Sequence, residues 1–208
     1  MIAAKGVVLT AGHVAPNIGD TRRISFADGY CGSATCVAVA PEYDLALLQI
    51  QRHDDAASQK GTGKGKGSRT GKGKGKGKGR GGAAASSGAS QSSSFPMVAV
   101  ADSTASRPRV KSKLVCVGQP GRARASRLEA TTGTITAVPK DPLRDQSELG
   151  ALEHDCPVFA GNSGSPLLLA DTGELVGIHT GYNFNRFTAC ATTAEAVREL
   201  LDRAAALL

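Results

Sequence analysis

The chain has 208 residues, which is room for one ordinary domain or two very small ones. Lys and Arg outnumber Asp and Glu by 25 to 18, but residues 51–95 hold ten basic residues against two acids, so the other 163 residues carry a net charge of −1. This balance excludes a nucleic-acid-binding domain built on a chain-wide basic field.

Targeting and cysteine patterns point to a reduced protein without a membrane span. No run approaches 18 apolar residues, and the first six residues lack the apolar core and cleavage pattern of a secretory signal. Five cysteines cannot all pair within one chain, and the C-x4-C of Cys31 and Cys36 has no second half-site for zinc. We therefore predict no metal site and buried, reduced thiols. These features favour an intracellular compartment but do not identify it. No cofactor is predicted.

Short apolar runs separated by turn residues predict an all-β fold. The first two predicted strands are Val7–Thr10 and Leu45–Ile50, which are short apolar runs rich in branched residues. Further predicted strands are Val98–Val100, Lys113–Gly118, Thr131–Val138, Ser165–Leu169 and Leu175–Ile178. Their number and regular spacing favour a sandwich or a barrel.

One helix is predicted at the end of the chain. Thr192 and Glu195 have the spacing of a capping box, which marks a helix start. Apolar residues then recur on one helical face, at Val197, Leu200, Leu201, Ala204, Leu207 and Leu208.

Residues 51–95 form a low-complexity tract that begins near the end of the second predicted strand. Gly and Lys alternate through most of residues 60–80, and Ala and Ser follow. Such a segment has little apolar area to bury and is predicted to be a disordered surface insertion. No lysine in it is followed by Ser or Thr, so it is not a phosphate-binding loop. Its charge favours either weak, salt-sensitive contact with RNA or another polyanion through residues 60–80, or simple solvation.

Three residues have settings that suit nucleophilic catalysis. His13 lies in T-A-G-H-V after an apolar run, Asp44 opens Y-D-L-A-L-L, and Ser163 lies in the turn-rich G-N-S-G-S-P. A serine hydroxyl needs an adjacent base, a histidine can supply it, and a carboxylate can orient the histidine. Each residue alone has a plain structural interpretation, as a core histidine, a turn former and a loop serine.

These motifs, in this order, resemble those of the chymotrypsin-fold serine endopeptidases, and most closely the HtrA-type proteases and bacterial glutamyl endopeptidases. The resemblance continues through V-G-Q-P-G, T-G-T-I-T-A-V and G-E-L-V-G-I-H-T-G to the terminal helix. It implies one peptidase domain over residues 1–208, with two six-stranded-type antiparallel β-barrels and a C-terminal α-helix. Residues 1–50 would begin the first barrel, and residues 96–208 would hold the rest of that barrel, the second barrel and the helix.

Spacing agrees with the resemblance and also qualifies it. His13 and Asp44 are 31 residues apart, and Asp44 and Ser163 are 119 apart, or 74 without the 45-residue tract. The spacing of 74 residues suits the compact members of the family. The tract is therefore interpreted as an insertion in a surface loop, which costs little closure entropy. Only twelve residues precede His13, so we expect either a fragment or a minimal, incomplete first barrel.

The resemblance implies a catalytic triad of His13, Asp44 and Ser163, with the oxyanion bound by the Gly161 and Ser163 N–H groups. It also implies a substrate pocket lined by His179, Thr180, Gly181 and Val158, and protein or peptide substrates. Glutamyl endopeptidases use a histidine at the position of His179 to contact Glu or Gln. Val158, however, stands where those relatives have a threonine hydroxyl, so we predict a preference for Glu or Gln that is weaker than theirs. The alternative is that His179 only forms part of the pocket wall.

Two other classes of function remain open from the sequence. One is a pseudoprotease or binding module on the same fold, and the other is a nucleic-acid-associated protein that works through the tract. His154, next to Asp155, is interpreted as a surface residue near the cleft or one without a role. His53, at the start of the tract, is interpreted as solvated.

Overall fold

The computed structural model describes residues 2–4, 6–26, 31–51, 98–101, 108–121, 128–141, 143 and 152–206. Of the tract at 51–95, only Gln51 belongs to this described part, as the last residue of a strand. The predicted insertion, the solvated His53 and the terminal Leu207 and Leu208 therefore lie outside it.

The first half of the molecule is a five-stranded antiparallel sheet with the strand order β1-β2-β5-β4-β3. Its strands are β1 (Ile2–Ala4), β2 (Val7–Ala11), β3 (Thr21–Ser25), β4 (Cys31–Ala40) and β5 (Leu45–Gln51). Along β4 every second residue from Ala34 to Ala40 is buried, the two-residue period of a strand with one face on the core. Within the described residues this sheet does not close, which agrees with an incomplete first barrel.

The second half is a closed antiparallel barrel with the order β10-β11-β8-β7-β6-β9. Its strands are β6 (Lys113–Gly118), β7 (Glu129–Ala137), β8 (Leu152–His154), β9 (Pro166–Leu169), β10 (Leu175–Asn183) and β11 (Thr188–Thr193). Pairing of β9 with β10 closes the ring and leaves no open sheet edge along it. The predicted fold class is thereby confirmed.

A single helix, α1 (Ala194–Ala204), follows the barrel in the described residues. The predicted cap was wrong by one residue: the side chain of Thr193, not Thr192, accepts the hydrogen bond from Ala196 N. Val197, Leu200 and Ala204 are buried, as the helical period predicted. They pack in one cluster with residues of the first sheet, such as Leu9 and Leu47, and with Leu175 and Ile178 of the barrel.

Several elements differ from the sequence predictions. Val98–Val100 is not a strand but a single bridge, from Val100 to Leu175. The strands β1, β3, β4, β8 and β11 were not predicted, because their small or polar residues give a weak β signal. Cys36, Cys116, Cys156 and Cys190 are buried free thiols, as predicted, but Cys31 is exposed and donates to Ser25 Oγ at 3.4 Å.

Candidate active site

His13 lies in a short 3-10 turn, Gly12–Val14, directly after β2. The turn is held by a hydrogen bond of 2.7 Å from Gly12 N to the Asp44 carbonyl. A Cβ at Gly12 would stand 3.0 Å from both the carbonyl carbon and Oδ1 of Asp44, so only glycine fits without a shift of this contact. The His13 side chain is half exposed, with 50 % of its surface open to solvent.

Asp44 ends a second 3-10 turn, Pro41–Tyr43, and directly precedes β5. Its φ of 50° and ψ of 50° are left-handed, an unusual conformation for a residue with a side chain. Its carboxylate contacts His13 twice: Oδ1 accepts from the backbone N at 2.8 Å, and Oδ2 lies 2.8 Å from the ring Nδ1. A carboxylate can only accept, so His13 Nδ1 carries the proton, and in the neutral ring Nε2 is an acceptor.

Ser163 lies in the loop between β8 and β9, which we call the serine loop (residues 155–165). Gly164 in this loop has a φ of +86°, and a Cβ there would stand 2.3 Å from Thr10 Oγ1 and 3.2 Å from Ala11 N. The loop therefore packs against the end of β2, immediately before His13. Within the described residues no hydrogen bond joins Ser163 Oγ to the His13 ring; such contacts often tighten only when substrate binds.

The serine loop contains two backbone N–H groups of interest, those of Gly161 and Ser163, which are separated by Asn162. The Ala160 carbonyl accepts a 2.8 Å hydrogen bond from Gly121 N. Because C=O and N–H point in opposite directions across a trans peptide, the Gly161 N–H points away from Gly121. In the described part of the chain, neither this N–H nor that of Ser163 donates a hydrogen bond.

The predicted pocket residues lie on β10 and the serine loop. His179 is buried, and its backbone joins the serine loop through Gly164 N to His179 O at 2.9 Å and His179 N to Ser165 O at 2.8 Å. Thr180 donates from Oγ1 to the Cys190 carbonyl at 3.4 Å, and the register between β10 and β11 shifts between His179 and Gly181. Val158 is partly buried against the core of the barrel.

His154 is not a surface residue, so the predicted surface placement was wrong. Its side chain is fully buried on β8, and its Nε2 lies 3.3 Å from His179 Nδ1. Leu152 and His154 are both buried while Glu153 between them is only partly so, a two-residue alternation too short to be noticed in the sequence. His154 Nδ1 has no hydrogen-bond partner in the structure described.

Burial keeps this histidine pair neutral. Desolvation, helped by the nearby His179, lowers the pKa of His154 to about 3. Desolvation also lowers the pKa of His179 to about 4, and the neighbouring His13 lowers it further, while the Cys190 carbonyl opposes the shift. His179 therefore presents a neutral imidazole at physiological pH.

The described residues contain neither a candidate metal site nor a candidate membrane-spanning helix. No group of three or more His, Cys, Asp or Glu side chains there is placed to hold a metal ion. No helix in the same residues has both the length and the apolar character needed to cross a membrane.

Comparison with known proteins agrees with the fold. Residues 1–178 match the family described as the trypsin-like peptidase domain, which is most of the chain. The chain belongs to that family, and the resemblance to chymotrypsin-fold proteases is confirmed at that level. No curated protein matches the chain.

Proposed function

We propose that this member of the trypsin-like peptidase family is a serine endopeptidase that uses Ser163 as nucleophile, His13 as general base and Asp44 as the group that orients His13. The observation that carries the proposal is the double hydrogen bond between Asp44 and His13, formed beside the loop that holds Ser163. A free hydroxyl, a base with an available Nε2 and a carboxylate that orients the base are the parts that peptide hydrolysis needs.

The reaction would proceed through an acyl-enzyme. Ser163 Oγ attacks the peptide carbonyl carbon while His13 Nε2 takes the hydroxyl proton, and Asp44 stabilises the imidazolium. The Gly161 and Ser163 N–H groups bind the oxyanion of the tetrahedral intermediate. His13 then protonates the leaving amine, and a water activated by the same Nε2 hydrolyses the ester. No step requires a cofactor.

The first prediction tests the nucleophile with a covalent probe. We expect a fluorophosphonate to label the wild-type protein and not S163A, because the probe reacts only with a serine that a neighbouring base activates. The control is S165A, which removes the other hydroxyl of the same loop and is expected to keep the label. Equal labelling of wild type and S163A would remove Ser163 from this role.

The absence of a Ser163–His13 hydrogen bond in the described residues favours one second candidate, a binding module on the same fold. Such a protein would bind peptides in the cleft without activating the serine. In that case the fluorophosphonate would label neither the wild type nor S163A, although both would still bind a peptide. The same labelling experiment therefore separates the two functions.

The second prediction concerns the side chain just before the scissile bond. A neutral His179 can donate one hydrogen bond to a Gln or Glu side chain, and Val158 offers no hydroxyl to add a second. We therefore expect a modest preference for Glu or Gln in a peptide-library cleavage profile. H179A should lower kcat/KM for those substrates more than for apolar ones. A wild-type preference for Val, Leu or Ala that survives H179A would make His179 a pocket wall only.

A further inference from the structure

The left-handed conformation of Asp44 raises the question of what holds it. L-residues with a side chain rarely adopt such a backbone, and it persists only where the surroundings impose it. The contacts of its own carboxylate are not sufficient, because the side chains of His13 and Asp44 are 50 % and 37 % exposed and water competes for their hydrogen bonds.

The peptide that enters Asp44 is held at both of its polar ends. Its N–H, on Asp44, donates to the Pro41 carbonyl at 3.2 Å. Its C=O, on Tyr43, accepts a 2.5 Å hydrogen bond from Thr192 Oγ1. The peptide that follows Asp44 is held as well, because the Asp44 carbonyl accepts from Gly12 N at 2.7 Å. With the peptide planes on both sides of its Cα held, φ and ψ of Asp44 are constrained, and so is the direction in which its side chain leaves the backbone.

The hydrogen bond from Thr192 is shielded from solvent. Thr192 is 1 % exposed and Tyr43 is 7 % exposed, so water does not compete for this contact as it does at the Asp44 carboxylate. Thr192 lies at the end of β11, 149 residues from Tyr43, where the barrel passes into α1. The hydroxyl thus connects the second half of the molecule to the turn that carries Asp44.

The Tyr43 side chain has a second anchor on α1. Its hydroxyl donates to Glu199 Oε2 at 2.8 Å, and the Arg203 guanidinium lies 5.6 Å from its ring centroid. Arg203 also pairs with Glu42 at 2.5 Å and lowers the pKa of that carboxyl through the hydrogen bond between them. The Arg203–Glu42 pair is solvent-exposed and contributes little on its own. The bond to Glu199 holds the Tyr43 side chain, whereas Thr192 is the side chain that holds the Tyr43 backbone carbonyl.

We propose that Thr192 is a positioning residue for the peptidase reaction: it holds the Tyr43–Asp44 peptide so that the Asp44 carboxylate stays on His13. The expected effect of Thr192 on catalysis rests on the proposed function, whereas its expected effect on the position of Asp44 does not. Thr192 contacts no reacting atom and acts only through Tyr43 and Asp44.

The test uses a series of substitutions that changes the donor at position 192 with little change in size. T192S keeps the hydroxyl, T192C replaces it with a weak thiol donor, and T192V removes the donor. The matched control is T188V, which removes a Thr hydroxyl from the same strand, where it donates to Glu153 Oε2 at 3.0 Å. Circular dichroism and melting temperature establish which variants fold.

The first measurement is the downfield proton resonance of His13 Nδ1–H, which reports the strength of its hydrogen bond to Asp44. We expect this resonance to be retained in T192S and T188V, shifted upfield in T192C, and shifted furthest or lost in T192V. The second measurement is kinetic: T192V should lower kcat by about tenfold or more with little change in KM, since a small misplacement of a catalytic group has this cost. T192S should restore kcat.

The outcomes separate this inference from the proposed function. A His13 resonance and a kcat that are the same in T192V as in T188V would overturn the positioning role. If T192V does not fold, T192C decides: a resonance unchanged from T192S would overturn the role equally. If the wild-type protein lacks peptidase activity, the proposed function fails, and the resonance series still tests whether Thr192 holds Asp44 on His13.

Discussion

At the scale of single residues, two glycines set how closely the serine loop and the 3-10 turn of His13 (Gly12–Val14) approach the rest of the site. A Cβ at Gly164 would lie 2.3 Å from Thr10 Oγ1, and one at Gly12 would lie 3.0 Å from Asp44 Oδ1. A larger residue at Gly164 would push the loop away from the end of β2. Gly164 therefore allows the loop of the proposed nucleophile to approach the strand end that precedes His13, and Gly12 allows the turn of His13 to approach Asp44.

A third prediction follows from the buried histidine pair, and it concerns stability in acid. The pKa values of His154 and His179 are about 3 and about 4 in the folded protein, against 6.5 for an ordinary histidine. Above about pH 6.5 both side chains are neutral in the folded and unfolded states, so they add no pH dependence. Below it only the unfolded chain gains protons, and the free energy of unfolding falls by about 1.4 kcal/mol per pH unit for each histidine until the folded pKa is reached.

The measurement is the midpoint of urea unfolding at pH 7 and at pH 5, with circular dichroism as the signal. We expect the midpoint of the wild-type protein to fall over this interval and that of H154L to fall less, because one of the two protonation sites has been removed. H53Q, a histidine substitution in the tract at 51–95, is the matched control and should keep the wild-type slope. A slope in H154L as steep as in wild type would contradict the assignment.

At the scale of elements, β10 organises most of the candidate pocket. It pairs with β9 from Leu175 to Ile178 and with β11 from Gly177 to Asn183. Where the pairing with β9 stops, the serine loop takes its place through the two backbone hydrogen bonds between His179 and the residues Gly164 and Ser165. Ser163 is therefore held against the same strand that carries His179.

A fourth prediction concerns the start of α1. Thr193 caps the helix by accepting from Ala196 N at 3.4 Å, and loss of such a cap costs about 1 kcal/mol. We expect T193A to lower the free energy of unfolding by about that amount in a urea titration, while T193S, which keeps the hydroxyl, stays close to wild type. If T193A and T193S are equally stable, the helix does not depend on this cap.

At the scale of the whole molecule, the tract interrupts the chain just after the first sheet. The strand β5 runs to Gln51, which pairs with Ser33, and the chain contacts the barrel again at Val100, which bridges to Leu175. The predicted boundary at residue 51 therefore falls one residue inside a strand. A deletion that preserves the first sheet begins at His53.

The fifth prediction is the effect of that deletion. Replacing residues 53–94 with a short Gly-Ser linker should leave kcat/KM for a peptide substrate within a few-fold of wild type. The reason is that His13, Asp44 and Ser163 all lie outside the removed segment, and loop length changes closure entropy only slowly. Loss of activity with an unchanged circular dichroism spectrum would show that the tract takes part in function.

The same deletion tests a polyanion partner, which we propose as a secondary property of the tract. Its excess of Lys and Arg would give weak RNA binding that declines steeply with salt. A gel-shift series in increasing salt should show that binding for the full chain and not for the deletion. Unchanged RNA affinity after deletion would exclude the tract as the contact.

The sequence by itself determined the features that depend on near neighbours. Apolar runs such as Leu45–Ile50 predicted strands, and the spacing of Val197, Leu200 and Ala204 predicted the buried face of the helix, because period and side-chain type are local properties. The T-A-G-H and Y-D-L-A-L-L motifs each marked a residue at a strand end, which is where the structure places His13 and Asp44.

Only the tertiary structure decided what each of those residues touches. Nothing local distinguishes Thr192 from Thr193, yet one bonds a turn 149 residues away and the other caps the helix. His154 was expected at the surface beside Asp155, but closure of the barrel buries it against His179 and lowers its pKa. Burial and long-range hydrogen bonds depend on which segments pack together, and that is a property of the folded chain rather than of any window of its sequence.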